Sequence, residues 1–140
     1  MAFWDASAIV PLCCSQTASA QGRQLRRDLK RMVVWWGTPL EARSAFARLV
    51  REGDISPDER VAAVNLLGQL RATWDEILPS ETLRSLAEEL PDTHRLRAAD
   101  AAQLAAALVW CHERPRKRPF VCFDEHLRTA ASELGFVVRP

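Results

Sequence analysis

Short apolar runs alternate with longer helical stretches along the whole chain, and this alternation limits the fold more than any other feature. Ala2-Phe3-Trp4 reads as a short strand ending at Asp5. Ser7 to Cys14 and Ala18 to Lys30 read as helices. Met32 to Trp36 is β-branched and aromatic and stops at Gly37-Thr38-Pro39, which predicts a buried strand. A helix opens at Thr38 and runs to about Arg51. Ser56 is a good N-cap with Pro57 at the first helical position, and the helix that follows reaches about Trp74. Glu76-Ile77-Leu78 is a candidate short strand. A helix runs from Pro79-Ser80 to Leu90, and Pro91-Asp92-Thr93-His94 breaks it before the helix that carries Asp100. Phe120 to Phe123 predicts a strand ending at Asp124. A helix to Leu134, a Gly135 stop and a last strand at Phe136-Val137-Val138 complete the pattern. Strands alternating with helices predict an α/β fold with a parallel sheet covered on both faces. With no internal repeat, low-complexity tract or long linker, residues 1–140 are expected to form a single domain.

Composition excludes some function classes. The formal net charge is +1, so any contact with nucleic acid has to come from local patches. The longest nearly apolar run, Ala98 to Cys111, is too short for a membrane span and contains Asp100 and Gln103. No basic n-region or small-residue cleavage site marks the N-terminus, so no secretory signal is expected. The cysteines, at 13, 14, 111 and 122, have neither C-x-x-C spacing nor a zinc pattern. Reduced, packed thiols in a cytoplasmic protein are the expectation.

Asp100 lies within Leu96-Arg97-Ala98-Ala99-Asp100-Ala101-Ala102-Gln103-Leu104-Ala105-Ala106-Ala107-Leu108, the best helix-forming stretch of the chain. On a helical period Leu96, Asp100, Leu104, Ala107 and Leu108 fall along one side. This reading puts a carboxylate mid-helix on the stripe that faces the core. Burying an unpaired carboxylate costs on the order of several kcal/mol. It needs a partner: an arginine such as Arg97 or Arg43, or a metal ion.

Three further acids stand where a strand gives way to a helix. Asp5 follows the first strand, Glu41 follows the second by a short turn, and Asp124 follows the Phe120 strand. In parallel sheets ligands bind outside the carboxyl ends of the strands. If the strands are neighbours, these acids converge there and Asp100 can join them. Each also has a local reading. Asp5 and Asp124 can be N-caps, and Thr38-Pro39-Leu40-Glu41 matches a capping box. Glu41, however, shares a helix face with Ala45 and Leu49. Clustered carboxylates raise one another's pKa values, and a divalent cation relieves the conflict. An all-oxygen ligand set favours Mg²⁺ or Mn²⁺ over zinc. The chemistry expected of such a site is phosphodiester hydrolysis.

The arrangement resembles the PIN domain, and within it the VapC-type toxins of bacterial toxin–antitoxin pairs. The resemblance rests on Phe3-Trp4-Asp5-Ala6-Ser7-Ala8, on Thr38-Pro39-Leu40-Glu41-Ala42-Arg43-Ser44-Ala45, on Leu96 to Ala105, and on Phe120-Val121-Cys122-Phe123-Asp124-Glu125-His126-Leu127. These segments come in the family's order and span nearly the whole chain. No single one is specific; the ordered set is. The resemblance implies a three-layer α/β/α sandwich with a mainly parallel central sheet. It implies a ribonuclease in which Asp5, Glu41, Asp100 and Asp124 hold Mg²⁺ or Mn²⁺ and activate water. Ser7 would support the site through hydrogen bonds. It also implies a cognate antitoxin and toxin homodimers. One departure is Cys122, at a position where family members often carry Thr or Ser; a thiol is a poor donor. This puts the support of Asp124 in question.

Two basic stretches are candidates for RNA contact: Arg23, Arg26 and Arg27, and Arg116, Lys117 and Arg118. A solvated helix face and a solubilising loop are their plain alternatives. Trp35 and Trp36 in the predicted strand and Trp110 at the end of the apolar helix are expected in the core rather than in base stacking. The helical pair from Ala42 to Trp74 carries apolar residues beyond what a core needs, a surface for a partner helix or a dimer. Two competing functions stand beside the ribonuclease. One is a PIN-like binding module that has lost catalysis, with Cys122 as its hint. The other is a metal-dependent phosphoesterase acting on DNA or a nucleotide.

Overall fold

The computed structural model describes residues 1–140. The strands are β1 (Ala2–Trp4), β2 (Met32–Trp35), β3 (Asp75–Ile77), β4 (Pro119–Val121) and β5 (Val137–Arg139). The helices are α1 (Ala6–Cys13), α2 (Ser19–Leu29), α3 (Thr38–Arg51), α4 (Pro57–Arg71), α5 (Glu81–His94), α6 (Ala98–Trp110) and α7 (Glu125–Leu134). All five strands are parallel, in the order β3-β2-β1-β4-β5. The fold is α/β, a three-layer α/β/α sandwich. No helix is long and apolar enough to cross a membrane.

Strand periodicity divides the core in two. Phe3, Val33 and Phe120 point to one face of the sheet and pack on Leu83 and Leu90 of α5, the alanine-rich body of α6, and Leu127 and Ala131 of α7. Ala2, Trp4, Met32, Val34 and Val121 point to the other and pack on Ile9 of α1, Phe46 and Leu49 of α3, and Leu67 and Leu70 of α4. Both strand faces are buried, which is why the strands read as continuous apolar runs. The crossovers leaving β1 and β2 cover one face, and those leaving β3 and β4 cover the other. The winding therefore reverses between β1 and β4, and the crevice outside their carboxyl ends is where such sheets bind ligands.

Several elements differ from expectation. Helix α5 runs through Pro91 to His94 instead of breaking there. Its last turn is held past the proline by Arg95 N–H to Pro91 O at 3.1 Å, and by His94 Nδ1 against Glu133 Oε2 at 2.9 Å. Arg95 then takes a left-handed backbone and Arg97 an extended one. Helix α6 consequently starts only at Ala98. Asp100 is in its first turn, half-buried, and not mid-helix on the core stripe; Leu96 lies before the helix. Strand β2 ends at Trp35. Trp36 spends its N–H on Ile77 O at 3.0 Å, but its indole is 55 % exposed rather than in the core. Trp74 is buried, with its indole N–H on Glu76 Oε1 at 3.1 Å.

Candidate active-site cleft

Helix α1 begins directly after β1 because Asp5 caps it. The Asp5 backbone is extended, and its Oδ2 accepts the Ser7 N–H at 3.2 Å. Asp124 does the same for α7 after β4, with Oδ1 accepting the Leu127 N–H at 2.9 Å. The capping reading of both aspartates is therefore correct, and it does not compete with the site reading. A cap fixes the carboxylate at a strand-to-helix junction, and at these junctions the strands deliver it to the crevice between β1 and β4.

Asp5, Glu41, Asp100 and Asp124 line one cleft of about 310 Å³, with Ser7, Gln16, Arg48 and three apolar side chains. Asp5 and Asp124 come from the β1 and β4 junctions, Glu41 from the first turn of α3 and Asp100 from the first turn of α6. The expected capping box of Thr38 and Glu41 does not form. The Glu41 N–H goes to Gly37 O at 3.1 Å, so the Thr38 hydroxyl is left for another partner. That partner is Gln103 of α6. Its Nε2 donates to Thr38 Oγ1 at 3.1 Å and to Glu41 Oε2 at 2.7 Å, linking the helices that bring Glu41 and Asp100. Gln103 is 1 % exposed and was not singled out from the sequence. A polar residue three positions after Asp100 in an otherwise apolar run was the available signal.

Ser7 is where the resemblance placed a supporting hydroxyl. Its Oγ donates to Asp5 Oδ1 at 2.7 Å and accepts the backbone N–H groups of Phe123 at 2.9 Å and Asp124 at 3.2 Å. Cys122 stands beside it, Sγ 3.7 Å from Ser7 Oγ, and gives its own weak bond to Asp124 O at 3.4 Å. The thiol is therefore not required to orient Asp124.

The electrostatics of the cleft are unbalanced. Asp5 is 3 % exposed, and burial pushes its carboxyl from 3.8 up to about 6, against the pull of the Ser7 hydrogen bonds. Burial likewise pushes Glu41 from 4.5 to about 7, opposed by Gln103 and reinforced by the charges of Asp5 and Asp100. The Asp100 carboxyl is raised by burial and then by Asp124, while Arg97 and His126 pull it down. None of the four carboxylates forms an ion pair; Arg31 and Arg84 pair with acids elsewhere, and Arg48, which lines the cleft, pairs with Glu52 outside it. The proposed Arg97 or Arg43 partner for Asp100 is thus not made.

Donor chemistry fits a hard cation. The donors are all oxygen, and Asp100 makes no hydrogen bond, while Glu41 and Asp124 each bind the protein through one oxygen only. No three acids stand close enough to clasp a bare ion. Mg²⁺ characteristically keeps several waters and is held by one or two carboxylates, a mode that a cleft of this size accommodates.

The basic stretches are placed away from the cleft. Arg116, Lys117 and Arg118 precede β4, at the amino end of the sheet, and Arg118 lies over the Trp110 ring at 5.6 Å. Arg26 and Arg27 occupy the last turn of α2, which leads into the amino end of β2, and Arg23 is exposed one turn earlier. None of the six lines the cleft. The four cysteines are free. No family model matches this sequence, and no curated protein is similar enough to count as a relative.

Proposed function

We propose that the protein is a Mg²⁺- or Mn²⁺-dependent endoribonuclease of the PIN type, acting as the toxin of a toxin–antitoxin pair. The observation that carries the reading is the cleft itself. Carboxylates from four separate segments meet at the reversal of a parallel sheet, and none of them is paired with a cationic side chain. Proteins bury such a set at a cost, and a divalent cation turns the cost into a binding site.

Asp5, Glu41, Asp100 and Asp124 would hold the cation, one or two of them directly and the others through its waters. When bound, it would lower the pKa of a water and neutralise charge on a phosphoryl oxygen. The chain's own contribution is positioning. Ser7 locks Asp5 to the backbone of Asp124, so the acids of β1 and β4 move as one unit. Gln103 fixes Glu41 through one oxygen and leaves the other for a water or its proton. Asp100, with no hydrogen bond of its own, is the acid most free to serve the reaction.

The toxin role, the RNA substrate, the cognate antitoxin and the homodimer rest on the resemblance, and the cytoplasmic setting on the unpaired cysteines. Exposed Leu40 on α3 and Val61 and Leu66 on α4 support a protein-contact surface there. Arg23, Arg26, Arg27, Arg116, Lys117 and Arg118 would touch RNA only where it runs beyond the cleft.

Incubation of the purified protein with single-stranded RNA, with Mg²⁺ or Mn²⁺ and then with EDTA, tests the activity. Metal-dependent cleavage that Asp100→Asn abolishes is the expected result. Undiminished metal-dependent cleavage by that variant would sink the assignment. Cleavage of DNA or a nucleotide in preference to RNA would move the reading to another phosphoesterase. No binding of either cation by calorimetry would leave a protein-binding module.

A further inference from the structure

A cleft lined by four carboxylates repels a polyanion unless positive charge guides it, and the only cationic side chain lining this one is Arg48. Arg48 follows Glu41 by seven residues on α3, which puts both on the same face of the helix. Its one acidic contact is Glu52, at 3.9 Å and one turn away, with both side chains more than half exposed. Such a pair holds a guanidinium weakly. The cleft carboxylates do not consume it either, since none of them is an ion-pair partner of Arg48. An arginine that borders an acidic site and pairs with none of its acids is available to an incoming anion. Its planar fork matches phosphate oxygens two at a time.

The helix also sets which phosphate it can reach. Seven residues of α-helix span about 10 Å, so Arg48 is displaced along α3 from Glu41 by roughly that distance. A guanidinium so displaced serves a neighbouring phosphate of a strand whose cut phosphate lies at the acids. We propose that Arg48 binds a phosphate flanking the scissile one and is a substrate-positioning residue. The proposal rests on the ribonuclease reading and narrows its substrate to an RNA strand that continues past the cleavage point.

The test compares the unsubstituted protein with Arg48→Ala and Arg48→Lys, whose folding is checked by circular dichroism because the side chain is mostly exposed. Binding of a labelled single-stranded RNA is followed by fluorescence anisotropy between about 50 and 200 mM salt, and the slope of log K against log salt is expected to fall by about 0.7 in Arg48→Ala. Arg48→Lys should keep most of the slope. In cleavage assays Arg48→Ala should raise KM by about tenfold while kcat changes little, the signature of a contact made equally before and during reaction. An RNA with one uncharged methylphosphonate linkage beside the cut site should cost the unsubstituted protein the same tenfold and cost Arg48→Ala nothing further. An unchanged salt slope, or an Arg48→Ala penalty that the neutral linkage fails to remove, overturns the proposal. If the unsubstituted protein cleaves no RNA, the ribonuclease reading falls, and the salt slope still decides whether Arg48 meets a phosphate.

Discussion

The Ser7 hydroxyl accepts the backbone N–H of Asp124 at 3.2 Å, joining the first turn of α1 to the start of α7. With the bond to Asp5 and the one from Phe123, the hydroxyl uses its single donor and both lone pairs. Ser7→Ala leaves two half-buried N–H groups and one carboxylate oxygen without that partner. We expect a loss of about 1–3 kcal/mol in urea unfolding. RNA cleavage should fall by at least about tenfold, because Asp5 and Asp124 lose their common anchor.

Cys122 carries less. Its thiol makes only weak contacts, with Asp124 O and Ser7 Oγ, and the orientation of Asp124 comes from Ser7 and from the cap on Leu127. Cys122→Ser should therefore change cleavage by no more than about tenfold, since a lost or gained neutral hydrogen bond contributes roughly 0.5–1.5 kcal/mol. A much larger gain in kcat would show that the thiol limits the site.

Asp100→Asn removes a charge that burial and Asp124 both disfavour and that no hydrogen bond holds. Thermal stability should stay the same or rise. Metal-dependent cleavage should disappear. A drop in Tm would mean that Asp100 is a structural partner instead.

The raised carboxyls make the fold pH-dependent. A group whose pKa is higher folded than unfolded binds more protons in the native state, so stability falls as pH rises between the two values. For Asp5 this window runs from 3.8 to about 6, and for Glu41 from 4.5 to about 7. The metal-free protein should be less stable at pH 8 than at pH 5, Asp5 alone contributing about 1.4 kcal/mol to the difference, since the lower part of its window lies below pH 5. Adding Mg²⁺ or Mn²⁺ should restore stability at pH 8 and do little at pH 5, where protons occupy Asp5 and Glu41. Melting curves at the two pH values, with and without metal, give the answer.

Gln103→Leu removes the hydrogen bond that opposes the rise of the Glu41 carboxyl. That carboxyl should move further up, shifting the acid limb of the cleavage profile to higher pH. The buried Thr38 hydroxyl loses its partner as well, but leucine also removes the Gln103 Oε1, which is buried with none. The stability change should therefore stay within about 1–2 kcal/mol, with the displaced pH profile as the sign of positioning.

Much of this was legible in the chain. Strand runs such as Ala2-Phe3-Trp4 are apolar throughout because both sheet faces are covered, so the parallel sheet and its placement of Asp5 and Asp124 followed from pattern. Asp100 was found through faulty geometry. The helix-forming run Leu96 to Leu108 gave no hint that Arg95 and Arg97 adopt non-helical backbones, which resets the helix start and turns a core position into a first-turn one. At that position a carboxylate is favoured by the helix dipole, so its oddity is smaller than the periodicity suggested. Pro91 misled for a related reason, since tertiary contacts beyond it, such as His94 with Glu133, outweigh its local cost. Arg48 and Gln103 lay among ordinary helical residues; Gln103 gains its role only where it meets the first turn of α3, and Arg48 only where α3 borders the cleft.

The pairing of β1 with β4 sets when the cleft can exist. Phe3 lies opposite Phe120, and Asp5 gives its N–H to Val121 O at 3.1 Å. A polypeptide growing from its amino end therefore makes Asp5 first, and more than a hundred residues follow before Asp124 arrives to face it. Closing so long a loop is slow, and the intervening strands have time to settle first. A ribosome making this chain would carry no finished cleft until Asp124 has left it and met Asp5, so any hydrolytic capacity would wait for that closure.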